Sequence, residues 1–201
     1  MKSRLVLTAL LTGTLLLTGC TPSDEPTVTA APTPTATSTP TPAPSPTPTD
    51  GIQVHSDPST GIVFEDVPDL TGDEAEVYNW VAIHQNAFWD TLRTNTVNPA
   101  FATISSSEIQ DTMARIASNN AAEDARIAGE FHTTISDIVV DGETATAHVC
   151  DDFRQATFAN NTGELTVAEA GQDVPQRGRV ELLRLSEGKW YINRVVSAGT
   201  C

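Results

Sequence analysis

The sequence predicts an α+β domain, N-terminal helices followed by an antiparallel sheet, preceded by a signal peptide and a disordered linker. Apolar residues recur at helical spacing from Thr71 onward, behind Thr and Ser capping signals. After Gly129 the period changes to two, and the turn pairs Asp141-Gly142 and Glu187-Gly188 join alternating runs. Helices followed by a strand meander bury their apolar faces best as a single α+β layer pair.

Residues 1–19 carry Lys2 and Arg4, then a Leu/Thr/Ala/Val run, then small residues before Cys20. This is the pattern of a secretory signal rather than of a fold element. The run is too short and too rich in Thr for a membrane span, which needs roughly 20 predominantly apolar residues. The junction Leu17-Thr18-Gly19-Cys20 resembles the lipobox of bacterial lipoproteins. That resemblance implies diacylglyceryl transfer to the Cys20 sulfur and cleavage before it, placing the chain on the extracytoplasmic face of the cell membrane. At about 0.8 kcal/mol per buried methylene, two acyl chains hold such a protein durably.

Residues 20–58 read as the linker. Thr, Pro, Ala and Ser alternate there almost without large apolar side chains, so little surface is available to offset the entropy of ordering. In polyproline II form, at about 3.1 Å per residue, the linker reaches about 120 Å. Residues 59–201 are left for the α+β domain, an ordinary size for one domain with its own core.

Formal charge narrows the partners. The chain carries −15, and losing Lys2 and Arg4 with no acid takes the mature form to −17. Such a surface repels nucleic acid and anionic headgroups, which excludes phosphate-backbone binding as its function. With Cys20 acylated, Cys150 and Cys201 remain, and outside the cytoplasm a leftover pair is expected to form a disulfide.

Within the folded part, Thr71 and Glu74 form a capping box, with Asp73, Glu74 and Glu76 where the macrodipole favours acids. Val77, Val81, His84, Phe88 and Leu92 make one stripe and Tyr78, Ala82 and Trp89 a second, so the first helix should be buried on more than one side. Ser107 and Gln110 form another capping box, opening a helix marked by Ile109, Met113, Ile116 and Ala117. A short third helix is expected over Asn120–Ala128, stopped by Gly129. Phe131, Ile135 and Val139, then Ala145, Ala147, Val149 and Phe153, are the inward sets of two strands around Asp141-Gly142. The last hairpin joins Val180–Leu185 to Trp190–Val196.

This order, with the run from Val139 to Asp151 and the closing Leu-Leu-Arg-Leu followed by Gly-Lys-Trp-Tyr-Ile, resembles the nuclear transport factor 2-like roll over residues 70–201. The narrower resemblance is to actinobacterial lipoproteins carrying such a domain. It implies N-terminal helices packed in a curved antiparallel sheet, a cone-shaped roll whose mouth can hold a small molecule. Enzymes, including polyketide-cyclase-like ones, and non-enzymes share that roll, so the fold does not deliver the function.

His84 lies on an apolar helix stripe, where an imidazole serves either as a hydrogen-bonded core residue or as a general base in a pocket. Asp151 continues the set Ala145, Ala147, Val149, which aims its carboxyl into the cone with Arg154 close in sequence. A buried carboxyl there would have a raised pKa, as a proton-abstracting base needs. Trp80, Phe88 and Tyr191 complete the candidate pocket. No residue falls on a recognisable catalytic motif position, so none is assigned as catalytic. His132 and His148 fall on the strand face opposite the inward sets, and His55 falls in the linker. Asp66, Asp69, Asp73 and Glu74 do not match an EF-hand loop, and no Cys/His spacing suits zinc, so neither metal nor cofactor is expected. The first functional expectation is a surface-anchored lipoprotein whose roll is a non-catalytic binding module for an envelope protein or a small-molecule ligand. The alternative is a small-molecule isomerase, cyclase or hydratase using the conical pocket.

Overall fold

The computed structural model describes residues 51–201; the expected signal segment, Cys20 and most of the expected linker lie outside the described residues. A short strand β1 (Ile62–Glu65) leads into helix α1 (Gly72–Thr94). A single helical turn α2 (Phe101–Ile104) and helix α3 (Ser107–Ala122) follow. Strands β2 (Arg126–Gly129), β3 (Phe131–Asp141), β4 (Thr144–Asp152), β5 (Ala156–Asn160), β6 (Gly163–Leu165), β7 (Gln176–Arg184) and β8 (Trp190–Thr200) complete the chain. The main sheet has the order β1-β3-β4-β7-β8, antiparallel except where β1 runs parallel to β3, and a second sheet has the order β2-β5-β6. This is the helices-then-meander α+β architecture expected from the change of period.

Helix α1 is buried on several sides, with Val77, Val81, Ala82, Trp89 and Thr91 all sealed from solvent. Trp89 stacks on Phe131, and Phe131 on Phe153, at ring-centroid distances of 5.3 and 4.7 Å. The indole Nε1 of Trp89 donates to the Thr60 carbonyl at 2.7 Å, satisfying its polar edge. The hairpins around Asp141-Gly142 and Glu187-Gly188 form as the turn chemistry predicts, with Gly142 and Gly188 at φ of 59° and 85°.

Several sequence expectations are corrected. Thr71 does precede α1, yet its side chain makes no capping bond, so the Thr71–Glu74 box is not formed. The second cap belongs to Ser106 rather than Ser107: Ser106 Oγ accepts from the Ile109 amide, while Gln110 Nε2 donates to the Ser105 carbonyl. No third helix runs over Asn120–Ala128. Helix α3 continues to Ala122, Asp124 turns the chain at φ 52°, and Arg126–Gly129 pair as β2 with β5. Val139 is not inward but 59% exposed. A bulge between Ser136 and Val139, with Asp137 at φ 51°, inserts an extra residue and reverses the facing of everything beyond it.

The ordered part also begins before residue 59. Asn79 on α1 donates to the Gly51 carbonyl and accepts from the Gln53 amide and the His55 ring, whose centroid lies 5.8 Å from Phe64. Residues 51–58 are therefore held on the domain, because one buried amide satisfies a backbone that would otherwise stay in water. His55 is half-buried in consequence, and that burial lowers its pKa.

Cys150 and Cys201 are bonded, with Cα atoms 6.1 Å apart, as expected from the two leftover cysteines. Cys150 lies opposite Arg177 of β7, and the Cys201 amide donates to the Pro175 carbonyl. The bond thus fastens Cys201, the residue that follows β8, across β7 to β4. Among the described residues no helix is long and apolar enough to cross a membrane.

Candidate functional site

Period two along β4 puts Ala145, Ala147, Val149 and Asp151 on the concave face, and period two along β3 does the same for Phe131, Thr133 and Ile135. Thr133 and Asp151 are direct cross-strand partners. Thr133 Oγ1 donates to Asp151 Oδ1 at 2.9 Å. From α1, Gln85 Nε2 donates to the same Oδ1 at 2.5 Å and to Thr133 Oγ1 at 3.2 Å.

Those donations use both amide hydrogens of Gln85 and leave its Oε1 as an acceptor. His84 Nδ1 lies 3.1 Å from that Oε1, so Nδ1 carries the proton and donates it. His84 Nε2 is then a lone-pair acceptor, and it is buried without a partner. The imidazole is 4% exposed and its edge meets Phe101 at 5.4 Å. Burial lowers the His84 pKa to about 4, so the ring is neutral at neutral pH. Burial drives Asp151 the opposite way, up to about 7, against the lowering effect of the Thr133 and Gln85 bonds. Both of those bonds fall on Oδ1, so a proton on Asp151 resides on Oδ2.

A cavity of about 270 Å³ opens beside this relay, lined by His84, Gln85, Phe88, Asp151, Ile109 and Met113, with residues of β7 and β8 on the far side. Gly178 is part of that wall, and a Cβ there would sit 2.9 Å from Val149 Cγ2. A Gly178→Ala substitution should cost about 1–3 kcal/mol through overpacking. Urea unfolding measures it, and a stability equal to wild type would mean the wall yields freely.

Of the five pocket residues read from sequence, His84, Phe88 and Asp151 come together here, and Trp80 and Tyr191 do not. Tyr191 alternates with the inward Trp190 and Ile192, so it turns off the concave face, and its hydroxyl donates to the Ser105 carbonyl at 2.6 Å. Trp80 packs against the core one turn along α1 from the cavity. Arg154 also stays out of the site, held by Asp152 at the surface. The sequence reading missed Gln85 and Thr133, although both carried a signal: Thr133 shares the inward set of Phe131 and Ile135, and Gln85 follows Val81 by four residues on a buried helix.

His132 lies between Glu65 and Glu130, and its pKa is raised: burial opposes the rise, and the two carboxylates outweigh it. His148 faces Asp137. Both stand off the buried face, as expected. Among the described residues no group of three or more His, Cys, Asp or Glu side chains converges as a metal site.

No protein-family model matches the chain, and no curated protein does. Solved structures do resemble it in part. One is the Kfla4162 protein from Kribbella flavida, 15% identical, covering 64% of this chain and 93% of its own, with a TM-score of 0.37. Another is a conserved protein from Planctomyces limnophilus, 14% identical, covering 62% and 97%, at 0.36. A third, described as a "putative ketosteroid isomerase" from Shewanella frigidimarina, is 12% identical, covers 61% and 84%, and scores 0.26. Likeness at this level assigns neither a family nor an activity, so the reading of the site rests on its own geometry.

Proposed function

We propose that this chain is a lipid-anchored protein of the extracytoplasmic face of the cell membrane whose nuclear transport factor 2-like roll binds a small, mainly apolar molecule. The anchor rests on Leu17-Thr18-Gly19-Cys20 and on the linker that follows. The binding function rests on one observation: the cone is not plugged by aromatic side chains but holds a cavity with Asp151 and the Gln85 relay in its wall. Apolar lining with a few convergent polar groups is the usual construction of a small-molecule site.

The near-neutral carboxyl favours a second reading, proton transfer in an isomerase, cyclase or hydratase reaction. With Oδ1 held by Gln85 and Thr133, Oδ2 would take a proton from a carbon acid and return it, while the buried amide and hydroxyl keep the carboxylate oriented. Mass spectrometry of protein released natively from its own membrane tests the binding reading. A co-purifying molecule that is lost in Asp151→Leu supports it, and an empty cavity in both proteins rejects it. Incubating the recovered molecule in deuterated water separates the two readings. Deuterium incorporation that needs Asp151 means catalysis, and none means binding only.

A further inference from the structure

The side chains around the cavity beside Asp151 offer acceptors in excess of donors. Asp151 takes both of its hydrogen bonds on Oδ1, and Oδ2 accepts none among the described residues. His84, in the same wall, carries the unpartnered Nε2 lone pair. The amides of this wall are committed elsewhere: Gln85 donates to Asp151 and Thr133, and Gln176 donates to the Val174 carbonyl at 2.7 Å. Thr112 and Ser197 add hydroxyls, which serve either way.

Charge follows the same pattern. Arg177 and Arg194 are the two cations in the wall, and strand register puts both side chains on the opposite face of the sheet. Arg177 stands opposite Cys150, whose neighbours Val149 and Asp151 point inward, and it pairs with Asp137 at 2.9 Å. Arg194 stands opposite Glu181, whose neighbours Val180 and Leu182 are buried in the core. The groups that do face Asp151 are Gln85 and the neutral His84 from α1, Thr133 from β3 and Gln176 from β7. Helix α3 brings the exposed acid Glu108 to the rim, and a neighbouring hollow that also touches Asp151 adds the exposed acids Glu123 and Glu169. Among the described residues, therefore, a carboxyl that the fold has buried is given no counter-cation.

We propose that the molecule this cavity takes carries a protonated amine, whose N–H groups donate to Asp151 Oδ2 while its apolar body packs against Phe88, Ile109, Met113 and Val149. This rests on the small-molecule reading above and names the class of molecule. Burying a carboxylate costs most when it is left unpaired, and folding has already taken water from this one. An arriving ammonium therefore gains the attraction of a weakly screened charge without repeating that part of the cost. An anion meets Asp151 and the rim acids, and a neutral ligand leaves the charge uncompensated. The net charge of −15 draws cations toward the cavity from a distance. An ion-paired carboxylate is a weak proton acceptor, so this occupant belongs with the binding reading rather than with proton transfer.

Calorimetric titration of the folded full-length protein with 2-phenylethylamine, 2-phenylethanol and phenylacetate tests this, because the three share a ring and nearly a size and differ in charge. At pH 8 the amine should bind at least about tenfold more tightly than the alcohol, and the acid more weakly than either. Burial holds the carboxyl at about 7, and an alkylamine stays protonated to about pH 10. The amine's affinity should then fall about tenfold for each unit of pH below about 6, while the alcohol's changes little. Asp151→Asn, which keeps the Oδ1 acceptor, should abolish the preference for the amine and its pH dependence, and should leave alcohol binding within about threefold. An alcohol that binds as tightly as the amine, an amine affinity flat from pH 5 to 8, or an amine preference that survives Asp151→Asn overturns the ammonium site and leaves the small-molecule reading standing. A neutral or anionic molecule recovered from the native protein does the same, and a recovered amine supports the site. If none of the three probes binds and no molecule is recovered, both readings fall.

Discussion

Asp151→Asn should make the protein more stable at pH 8 than wild type, by roughly 2–4 kcal/mol, and should leave the two nearly equal at pH 4. Burial holds the Asp151 carboxyl at about 7, against an ordinary value of 3.8. The folded state therefore keeps its proton over a window in which the unfolded chain has lost it. Stability from this group falls as pH rises from about 4 to about 7 and is constant above. The full gap between those values corresponds to about 4 kcal/mol, reduced in practice because Asp151 keeps some solvent contact. Asn preserves the Oδ1 acceptor for Gln85 and Thr133 and removes only the charge.

His84 tilts the curve the other way. Its folded pKa, lowered to about 4 from 6.5, means that the unfolded chain takes up a proton first as pH falls, so stability is lost from pH 6.5 down to 4. In wild type the two slopes oppose each other between pH 4 and 6.5. The Asn variant unmasks the histidine, so its stability should climb with pH up to about 6.5 and then level off. Urea unfolding at half-unit steps of pH measures both curves. Parallel curves for wild type and variant across the range would show that Asp151 is an ordinary exposed carboxyl, and would remove the basis for acid/base work at this site. A gain in stability on losing the charge fits a group kept for function at a cost in folding.

Removing the Cys150–Cys201 disulfide is the second large effect. The bond spans 51 residues of sequence, for which loop-closure entropy gives about 4 kcal/mol. For a domain of this size that corresponds to a fall in Tm on the order of 10 °C. Scanning calorimetry of the Cys150→Ala/Cys201→Ala protein, or of wild type under dithiothreitol, reads it directly. Because the bond fastens β8 across β7, the loss should be accompanied by weaker ligand binding, since Gln176, Arg177 and Gly178 line the cavity. A Tm unchanged by reduction would mean that the hydrogen bonds of β8 to β7 already hold the end of the chain.

Much of the site was legible in the sequence, and the failures have definite causes. Alternation from Ala145 through Val149 placed Asp151 inside the cone, and helical spacing placed His84 and Phe88 on a buried face. Both are local rules, in which a residue's facing follows from its immediate neighbours. Tyr191 broke the same rule in the reading rather than in the fold, since its neighbours Trp190 and Ile192 already claimed the inner face. The loss of the helix expected over Asn120–Ala128 has a different origin. Good helix formers such as Arg126 and Ala128 were recruited as β2 by β5, an element some 30 residues later whose partnership no local pattern reports.

By itself the sequence determined the helices-then-sheet order, the two hairpins, the pairing of the two cysteines and which face of β4 carries a carboxyl, because periodicity, turn chemistry and cysteine count are written along the chain. Only the tertiary structure decided that Thr133 stands opposite Asp151, that Gln85 reaches both, and that a cavity opens beside them. Register between strands and the depth of a helix in a sheet are set by the packing of the whole core, and the shift of a buried carboxyl to near neutrality depends on that depth.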